Sequence, residues 1–256
     1  MRLVTAIIAA CALFLSFSSP LFSAEANFDS NVKKFIQVIG NGDRKEIAHL
    51  VAYPLHRKVP LSSVKSPSQF LEVFDEIMDE VLLKSISTSS IADDWSEMGG
   101  KGIMFQNGSL WLNEEGKIRA INYETEKGKR KRINLIEADK QKLHARLRNF
   151  VEPVLEWETA KYRIRIDQIS DNKFRYAVWP VHRKTSELPD LVLRNGTVTY
   201  DGSGGNHHYD FKSGDVLYRC FVWILGAAES PPGEIYVYKN RKVVLSQPVL
   251  KVITGW

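Results

Sequence analysis

The chain has 256 residues, of which 44% are hydrophobic, 25% charged and 11% aromatic, and its formal net charge is +5. These values exclude a collagen-like repeat, a low-complexity tract and a disordered chain, which would lack this apolar content. Two cysteines also exclude a disulfide-built scaffold and a cysteine-rich zinc protein.

Residues 1–26 have the features of a secretory signal peptide. Residues 3–17 carry no charge, and Pro20 then breaks the apolar run. Ala24 and Ala26 stand where a signal peptidase reads small residues, so cleavage is predicted after Ala26, with Ala24 as the second choice. The run is too short for a comfortable membrane span of roughly 20 residues, and an uncleaved anchor is the alternative. We therefore expect a periplasmic or secreted protein with no transmembrane segment after cleavage.

Cys11 raises a second possibility at this end of the chain. Residues 8–11 resemble a bacterial lipoprotein cleavage box, so lipidation at Cys11 is the alternative to cleavage after Ala26. The apolar segment continues past Cys11, which favours the later cleavage. Cys220 is then the only cysteine of the mature chain, and its apolar neighbours predict a buried thiol.

The mature chain is predicted to have two parts joined by a helix. Residues 27–135 mix helix and strand patterns, residues 136–154 form the connecting helix, and residues 155–256 are rich in strand patterns. A length of about 230 residues fits one large or two small domains.

Three helices are predicted at the start of the mature chain. Residues 31–39 place their apolar side chains on one helical face. Asp43 is placed to cap a second helix that runs to Leu50, because an aspartate before a helix accepts N–H hydrogen bonds. Residues 67–82 are predicted as one amphipathic helix with a fully acidic outer face.

Three short strands follow, over residues 102–106, 109–113 and 117–123. Asn107-Gly108 between the first two is typical of a type I′ hairpin turn, because both residues accept a positive φ. The pattern predicts a three-stranded antiparallel meander.

Helices followed by a meander resemble the N-terminal part of the NTF2-like (SnoaL-like) α+β cone family. The resemblance is carried by residues 35–50, 67–82 and 102–123, under half of the chain, as an order of elements. It implies a cone that holds a small ligand, and some family members are enzymes that use an Asp or His base. The family's catalytic dyad has no assigned position here, and many members are non-catalytic, so the resemblance informs the fold more than the activity.

The C-terminal part is predicted to consist of antiparallel strands. Residues 162–166 alternate between apolar and charged side chains, and Asn195-Gly196 is predicted as a second hairpin turn. Further strands are predicted over residues 174–178, 191–194, 197–200, 216–225, 234–238 and 242–245, with turns at 171–172 and 240–241. This spacing indicates a β-sandwich or an open barrel. The predicted fold class is therefore α+β.

The loop from Asp201 to Asp210 is the richest candidate for chemistry. A metal or catalytic site would need His207, His208, Asp210 and Asp201 to converge. Adjacent histidines on a strand point to opposite faces, so only one of them would join such a cluster. A glycine-rich loop with solvent-facing histidines is the favoured alternative, and no metal or other cofactor is assigned.

A second candidate is the acidic group Asp93, Asp94 and Glu97, which would bind a cation or act as a general base. The spacing of a calcium loop is absent. An acidic loop or a helix cap is the favoured interpretation.

Charge is strongly segregated along the chain. Residues 127–148 carry nine Lys or Arg and two acidic residues, a net charge of +7, whereas residues 65–97 carry a net charge of −6. The basic side chains Lys127, Lys129, Arg130, Lys131 and Arg132 are predicted to form a turn that binds an anionic envelope component or an acidic protein, or is a solvated hairpin tip. Nucleic acid is not expected, because no aromatic residues are interleaved with the charges. The opposed segments also suggest a contact within the monomer or across a homodimer.

The function expected from the sequence is that of an exported, non-enzymatic binding or interaction protein of unknown ligand. No nucleophile triad, phosphate loop, HExxH motif or cysteine pair is present. Two alternatives stay open: an envelope hydrolase or metal-binding enzyme that uses the loop of residues 201–210, and an inhibitor or immunity protein against a secreted enzyme.

Overall fold

The computed structural model describes residues 21–202, 204–226 and 229–255. Most of the predicted signal segment, including Cys11, lies outside these residues, so export and lipidation stay predictions. The described chain combines helices with antiparallel sheets, which confirms the α+β class. Among the described residues, no helix has the length and apolar character needed to cross a membrane.

The N-terminal part begins with six helices. They are α1 (Leu21–Asn41), α2 (Arg44–His49), α3 (Pro67–Glu72), α4 (Phe74–Ile77), α5 (Glu80–Ser87) and α6 (Ile91–Asp94). The carboxylate of Asp43 accepts hydrogen bonds from the backbone N–H groups of Lys45 and Glu46, which confirms the predicted cap of α2.

The prediction of a single helix over residues 67–82 is wrong, because the helix is interrupted twice. The first break falls at Val73, between α3 and α4, and the second at Met78, which is extended. Asp79 then starts α5 by accepting a hydrogen bond from the N–H of Leu82. Asp79 also accepts a hydrogen bond from the Tyr123 hydroxyl, so this acid is committed to local structure.

Four strands form the first sheet, in the order β1 (Trp95–Glu97), β2 (Ile103–Phe105), β3 (Leu110–Leu112) and β4 (Ile118–Ile121). The predicted meander is confirmed and gains β1 at its edge. The two-residue turn at Asn107-Gly108 is wrong, because Phe105 pairs with Leu110 and leaves a four-residue loop. Gln106 shares the positive φ of Asn107 and Gly108, so the loop is longer than a type I′ turn.

Helix α7 (Glu126–Lys142) contains the basic segment that was predicted as a turn. Thr125 caps it by accepting a hydrogen bond from the N–H of Gly128. Gly128 itself lies against the backbone carbonyl of Glu76 in α4, where a Cβ atom would collide. The glycine therefore permits close helix packing and does not make a turn, and the predicted boundary at 135/136 falls inside a helix.

The second sheet has nine strands, in the order β12-β11-β10-β9-β8-β7-β6-β5-β13. The strands are β5 (Glu152–Glu158), β6 (Tyr162–Ser170), β7 (Lys173–Pro180), β8 (Leu191–Tyr200), β9 (His207–Ser213), β10 (Val216–Val222), β11 (Gly233–Lys239), β12 (Lys242–Pro248) and β13 (Lys251–Thr254). Only Val249 and Leu250 separate the two edge strands β12 and β13, so the opposite edges must approach each other. The sheet is therefore curled into a half-barrel, and the predicted sandwich is not confirmed.

The hairpin predicted at Asn195-Gly196 is wrong, because β8 continues through both residues. Its first part pairs with β7 as far as Gly196, and Thr197 begins the pairing with β9. Asn195 has a φ of 60°, and a Cβ atom on Gly196 would collide with the ring of Phe211. Both residues therefore serve a bend inside the strand.

The half-barrel has two faces with different covers. Its inner face carries the apolar core of the sheet, which includes Trp157, Ile166 and Phe211. The outer face of β5 to β7 is covered by α7 and by the segment that follows it, where Leu147 and Phe150 pack against the sheet. The predicted helix 136–154 is therefore wrong in its second half: α7 ends at Lys142, a short 3₁₀ helix spans Ala145–Leu147, and β5 begins at Glu152.

Candidate binding site

A cavity of about 310 Å³ opens on the inner face of the half-barrel. Strands β6, β7, β8, β10, β11 and β12 supply its lining, which is Tyr162, Ile164, Tyr176, Val178, Leu191, Tyr218, Ile235, Val237, Leu245 and Gln247. None of these side chains is charged. The volume lies within the range of small-molecule sites, roughly 300–1,000 Å³.

Strand register brings the apolar lining residues together. Ile164 lies beside Val178 across one ladder, and Val178 lies beside Leu191 across the next. Val237 and Leu245 are paired in the same way at the other side of the cavity. Because alternate residues of a strand share a face, the curl of the sheet turns these neighbours into one concave apolar wall.

Aromatic side chains fill the rest of the inner face. Tyr176 contacts Phe211 with ring centroids 5.4 Å apart, and Phe174 contacts Tyr209 edge-on at 4.9 Å. Tyr176 also lies 5.8 Å from Tyr218, measured between ring centroids. These rings limit the cavity to one part of the half-barrel interior.

Three tyrosine hydroxyls in the cavity lining have no hydrogen-bond partner within the described part of the chain. They belong to Tyr162, Tyr176 and Tyr218. The oxygen atoms of these hydroxyls keep some accessible surface, so a ligand can reach them. Only 3% of Tyr176 is exposed, and this burial raises its pKa well above the ordinary value. The Tyr176 hydroxyl therefore keeps its proton. The cavity thus offers hydroxyl groups that can donate a hydrogen bond.

Gln247 adds a fourth polar group, and Thr159 fixes its orientation. The Thr159 hydroxyl oxygen accepts hydrogen bonds from the backbone N–H groups of Lys161 and Tyr162. Its proton is then donated to Gln247 Oε1 at 2.6 Å. The Gln247 Nε2 group has no partner among the described residues, so it is a free donor beside the cavity.

The histidines predicted as site residues lie on opposite faces of β9. His207 is on the inner face, where its ring contacts Tyr200 and Tyr209, and its Nδ1 atom lies 2.8 Å from the Gly205 carbonyl oxygen. His208 is on the outer face. His207 therefore does not join the other predicted site residues.

The structure brings the other three residues of this candidate together, but not in a ligand set. Asp201 Oδ2 lies 2.9 Å from His208 Nδ1, and Asp210 Oδ2 lies 3.9 Å from His208 Nε2, on the other edge of the ring. Asp210 is also held by two hydrogen bonds from Arg219. Within the described residues, no group of three His, Cys, Asp or Glu side chains could hold a metal ion.

The acidic group at the end of α6 has a structural use. Asp94 accepts hydrogen bonds from the backbone N–H of Ser90 and from Gln106 Nε2, and both bonds lower its pKa. Asp94 thus ties α6 to the loop after β2. Asp93 and Glu97 are exposed.

The predicted basic cluster is divided by the fold. Lys127 forms an ion pair with Asp75, and Arg132 forms one with Glu152 of the half-barrel. The remaining cations, Lys129, Arg130 and Lys131, are exposed and form no ion pair within the described ranges. The ion pair of Lys127 with Asp75 therefore joins the predicted basic and acidic segments within one molecule. A homodimer stays a prediction.

A buried ionic network on the outer face of β6 and β7 was not predicted. Asp167 accepts hydrogen bonds from Arg165 Nε at 2.7 Å and from Arg175 Nη2 at 2.5 Å. Asp139 of α7 and Glu156 of β5 also contact Arg165. Burial tends to lower the pKa of Arg165, but the surrounding carboxylates raise it overall, so the side chain stays charged. This network fastens α7 to the sheet.

Comparison of the chain with family models, curated proteins and solved structures found no match.

Proposed function

We propose that this chain is a non-enzymatic binding protein that holds a small, predominantly apolar ligand in the cavity of the half-barrel. The observation that carries the proposal is the uncharged wall contributed by six strands around about 310 Å³. Each methylene group transferred from water to such a wall contributes about 0.8 kcal/mol. Export to the periplasm or beyond is part of the proposal and is supported by the sequence pattern of residues 1–26.

The NTF2-like relationship of the N-terminal part is also proposed, on the order of its elements. Helices α1 to α6 precede an antiparallel meander, as the resemblance requires. In the proposed protein this part supports the half-barrel through α7. The exposed side chains of Lys129, Arg130 and Lys131 are its proposed contact with an anionic envelope component or an acidic protein.

A hydrolase centred on His208 is the second candidate, because the contact with Asp201 resembles the base and orienting carboxylate of a catalytic triad. Asp210 and its partner Arg219 occupy the other side of the ring, at the nitrogen that would have to face a substrate. The geometry therefore supports binding better than hydrolysis. Ester hydrolysis by the wild-type protein that is lost in His208→Ala would favour the hydrolase, and absence of hydrolysis by the wild type would favour binding alone.

The proposed function can be tested with the neutral fluorescent probe N-phenyl-1-naphthylamine, whose emission increases in apolar surroundings. The purified protein should enhance its fluorescence with a saturable, one-to-one dependence. Val178→Trp should abolish the enhancement by filling the cavity, because Val178 lines it. Val192→Trp is the matched control. Val192 follows Leu191, the residue paired with Val178, but its exposed side chain lies on the opposite face of the sheet. An unchanged signal in Val178→Trp, with native circular dichroism, would contradict the proposal.

A further inference from the structure

We infer that the ligand of the half-barrel carries an uncharged hydrogen-bond acceptor, such as the carbonyl of an ester or amide, and not a free carboxylate. The inference rests on the proposed function and adds the chemical class of the ligand's polar group. It follows from which atoms of the lining are free and from which charges are absent.

Each free polar group of the lining can donate a hydrogen bond, and a ligand acceptor is the one partner that suits all of them. Gln247 Oε1 accepts the Thr159 proton at 2.6 Å, whereas its Nε2 group, which can only donate, is left without a partner in the described chain. The hydroxyls of Tyr162, Tyr176 and Tyr218 have no protein acceptor in the same part of the chain. A ligand oxygen that accepts hydrogen bonds satisfies these groups, whereas a pure hydrocarbon leaves them unpaired.

One buried residue contacts both the backbone of Tyr162 and the side chain of Gln247. Thr159 is 2% exposed, and its hydroxyl contacts both the backbone N–H of Tyr162 and the amide of Gln247. This arrangement places Tyr162 and Gln247 side by side where the edges of the curled sheet meet. The acceptor of the ligand is therefore expected at this end of the cavity, and its apolar part against Val178 and Leu191.

The charge of the lining excludes a free carboxylate as the preferred group. No Lys or Arg side chain lines the cavity. A carboxylate there would lose its hydration without gaining a cation, and buried charges are stable only when they are paired. An ester or amide carbonyl loses much less hydration and accepts the same hydrogen bonds.

A matched pair of ligands tests the inference. Methyl decanoate and decanoate share one acyl chain and differ in the charge of the polar group. In displacement of N-phenyl-1-naphthylamine at neutral pH, below the concentrations at which either ligand aggregates, methyl decanoate should be effective at a concentration at least tenfold lower. Gln247→Leu and Tyr162→Phe should each weaken the ester about two- to tenfold, the loss of one hydrogen bond, in excess of any change in the affinity for the probe.

Different outcomes bear on the chemical class of the ligand and on ligand binding itself. Equal or better displacement by decanoate, no displacement by either ligand, or full ester affinity in both variants would overturn the inference while probe binding still supports the proposed function. Absence of probe binding by the wild-type protein would overturn the proposed function itself.

Discussion

Trp157 on β5 lies directly against Gly233 on β11, although five strands separate β5 from β11 in the order of the sheet. A Cβ atom on Gly233 would lie 2.6 Å from Trp157 Cη2 and 2.5 Å from the Phe221 carbonyl oxygen. The contact shows how tightly the sheet is curled, and it closes the interior near the meeting point of the two edges. The cavity exists because this curl is maintained.

Gly233→Ala should therefore destabilise the half-barrel. The added methyl group has no room between a backbone oxygen and a buried indole, and overpacking of this kind costs roughly 1–3 kcal/mol. The free energy of unfolding in urea measures the effect. Gly100→Ala is the control, because nothing lies within 4 Å of a Cβ atom at that position. Equal stability of the two variants would show that the contact is not tight.

Asp167→Ala should destabilise the protein far more than removal of an exposed ion pair. The variant leaves Arg165 and Arg175 buried without their shared carboxylate, which typically costs about 3–5 kcal/mol. Asp190→Ala breaks the exposed pair with Arg183 and should cost roughly 0–1 kcal/mol. Chemical denaturation of both variants gives the comparison, and a loss below 1 kcal/mol in Asp167→Ala would contradict a buried network.

Glu156 should make the stability of the protein depend on pH. Burial raises the pKa of its carboxyl above the ordinary value of 4.5, and the neighbouring Arg165 and Arg163 only partly oppose this. The folded state then binds the proton more tightly than the unfolded state, so the contribution of Glu156 to stability is lost as the pH rises through its raised pKa. Glu156→Gln should flatten the unfolding free energy across the interval just above pH 4.5. An unchanged slope there would be evidence against the shift.

Cys220 should resist thiol reagents in the folded protein. Its side chain is fully buried on the inner face, and burial raises its thiol pKa well above the ordinary value, so little reactive thiolate forms. Labelling with a thiol-specific reagent, located by peptide mass, should occur only after denaturation. Stoichiometric labelling of Cys220 in native buffer would show that this part of the half-barrel opens readily.

Helix caps and turns were predicted correctly from the sequence where one or two adjacent residues determine the local structure. Asp43 caps α2, and the turn at Asn240-Arg241 joins β11 to β12 with a positive φ at both residues, as a type I′ turn requires. The same reasoning failed at Asn195-Gly196, because the glycine there makes room for Phe211, a contact between strands that no local pattern contains. The helix predicted over 67–82 failed because Asp79 caps a new helix there and is held by the distant Tyr123 hydroxyl.

Clusters of titratable residues in the sequence do not indicate the proposed binding site. The loop from Asp201 to Asp210 has those residues, but strand alternation separates His207 from the others. The cavity is lined by tyrosines and apolar residues that look like ordinary core positions along each strand. Tyr162 and Gln247 line a cavity, and are not packed in the core, because the curl of the sheet brings β6 and β12 together.

The location of a bound ligand shows whether the half-barrel interior is the binding site. Amide chemical shifts of isotopically labelled protein, recorded during titration with methyl decanoate, report which strands contact it. We expect saturable changes concentrated at Ile164, Val178, Val237 and Leu245, with little change at Asp201 and Asp210. Changes concentrated at the outer face around His208 or in the helical N-terminal part, or no changes at saturating ligand, would contradict a binding site inside the half-barrel.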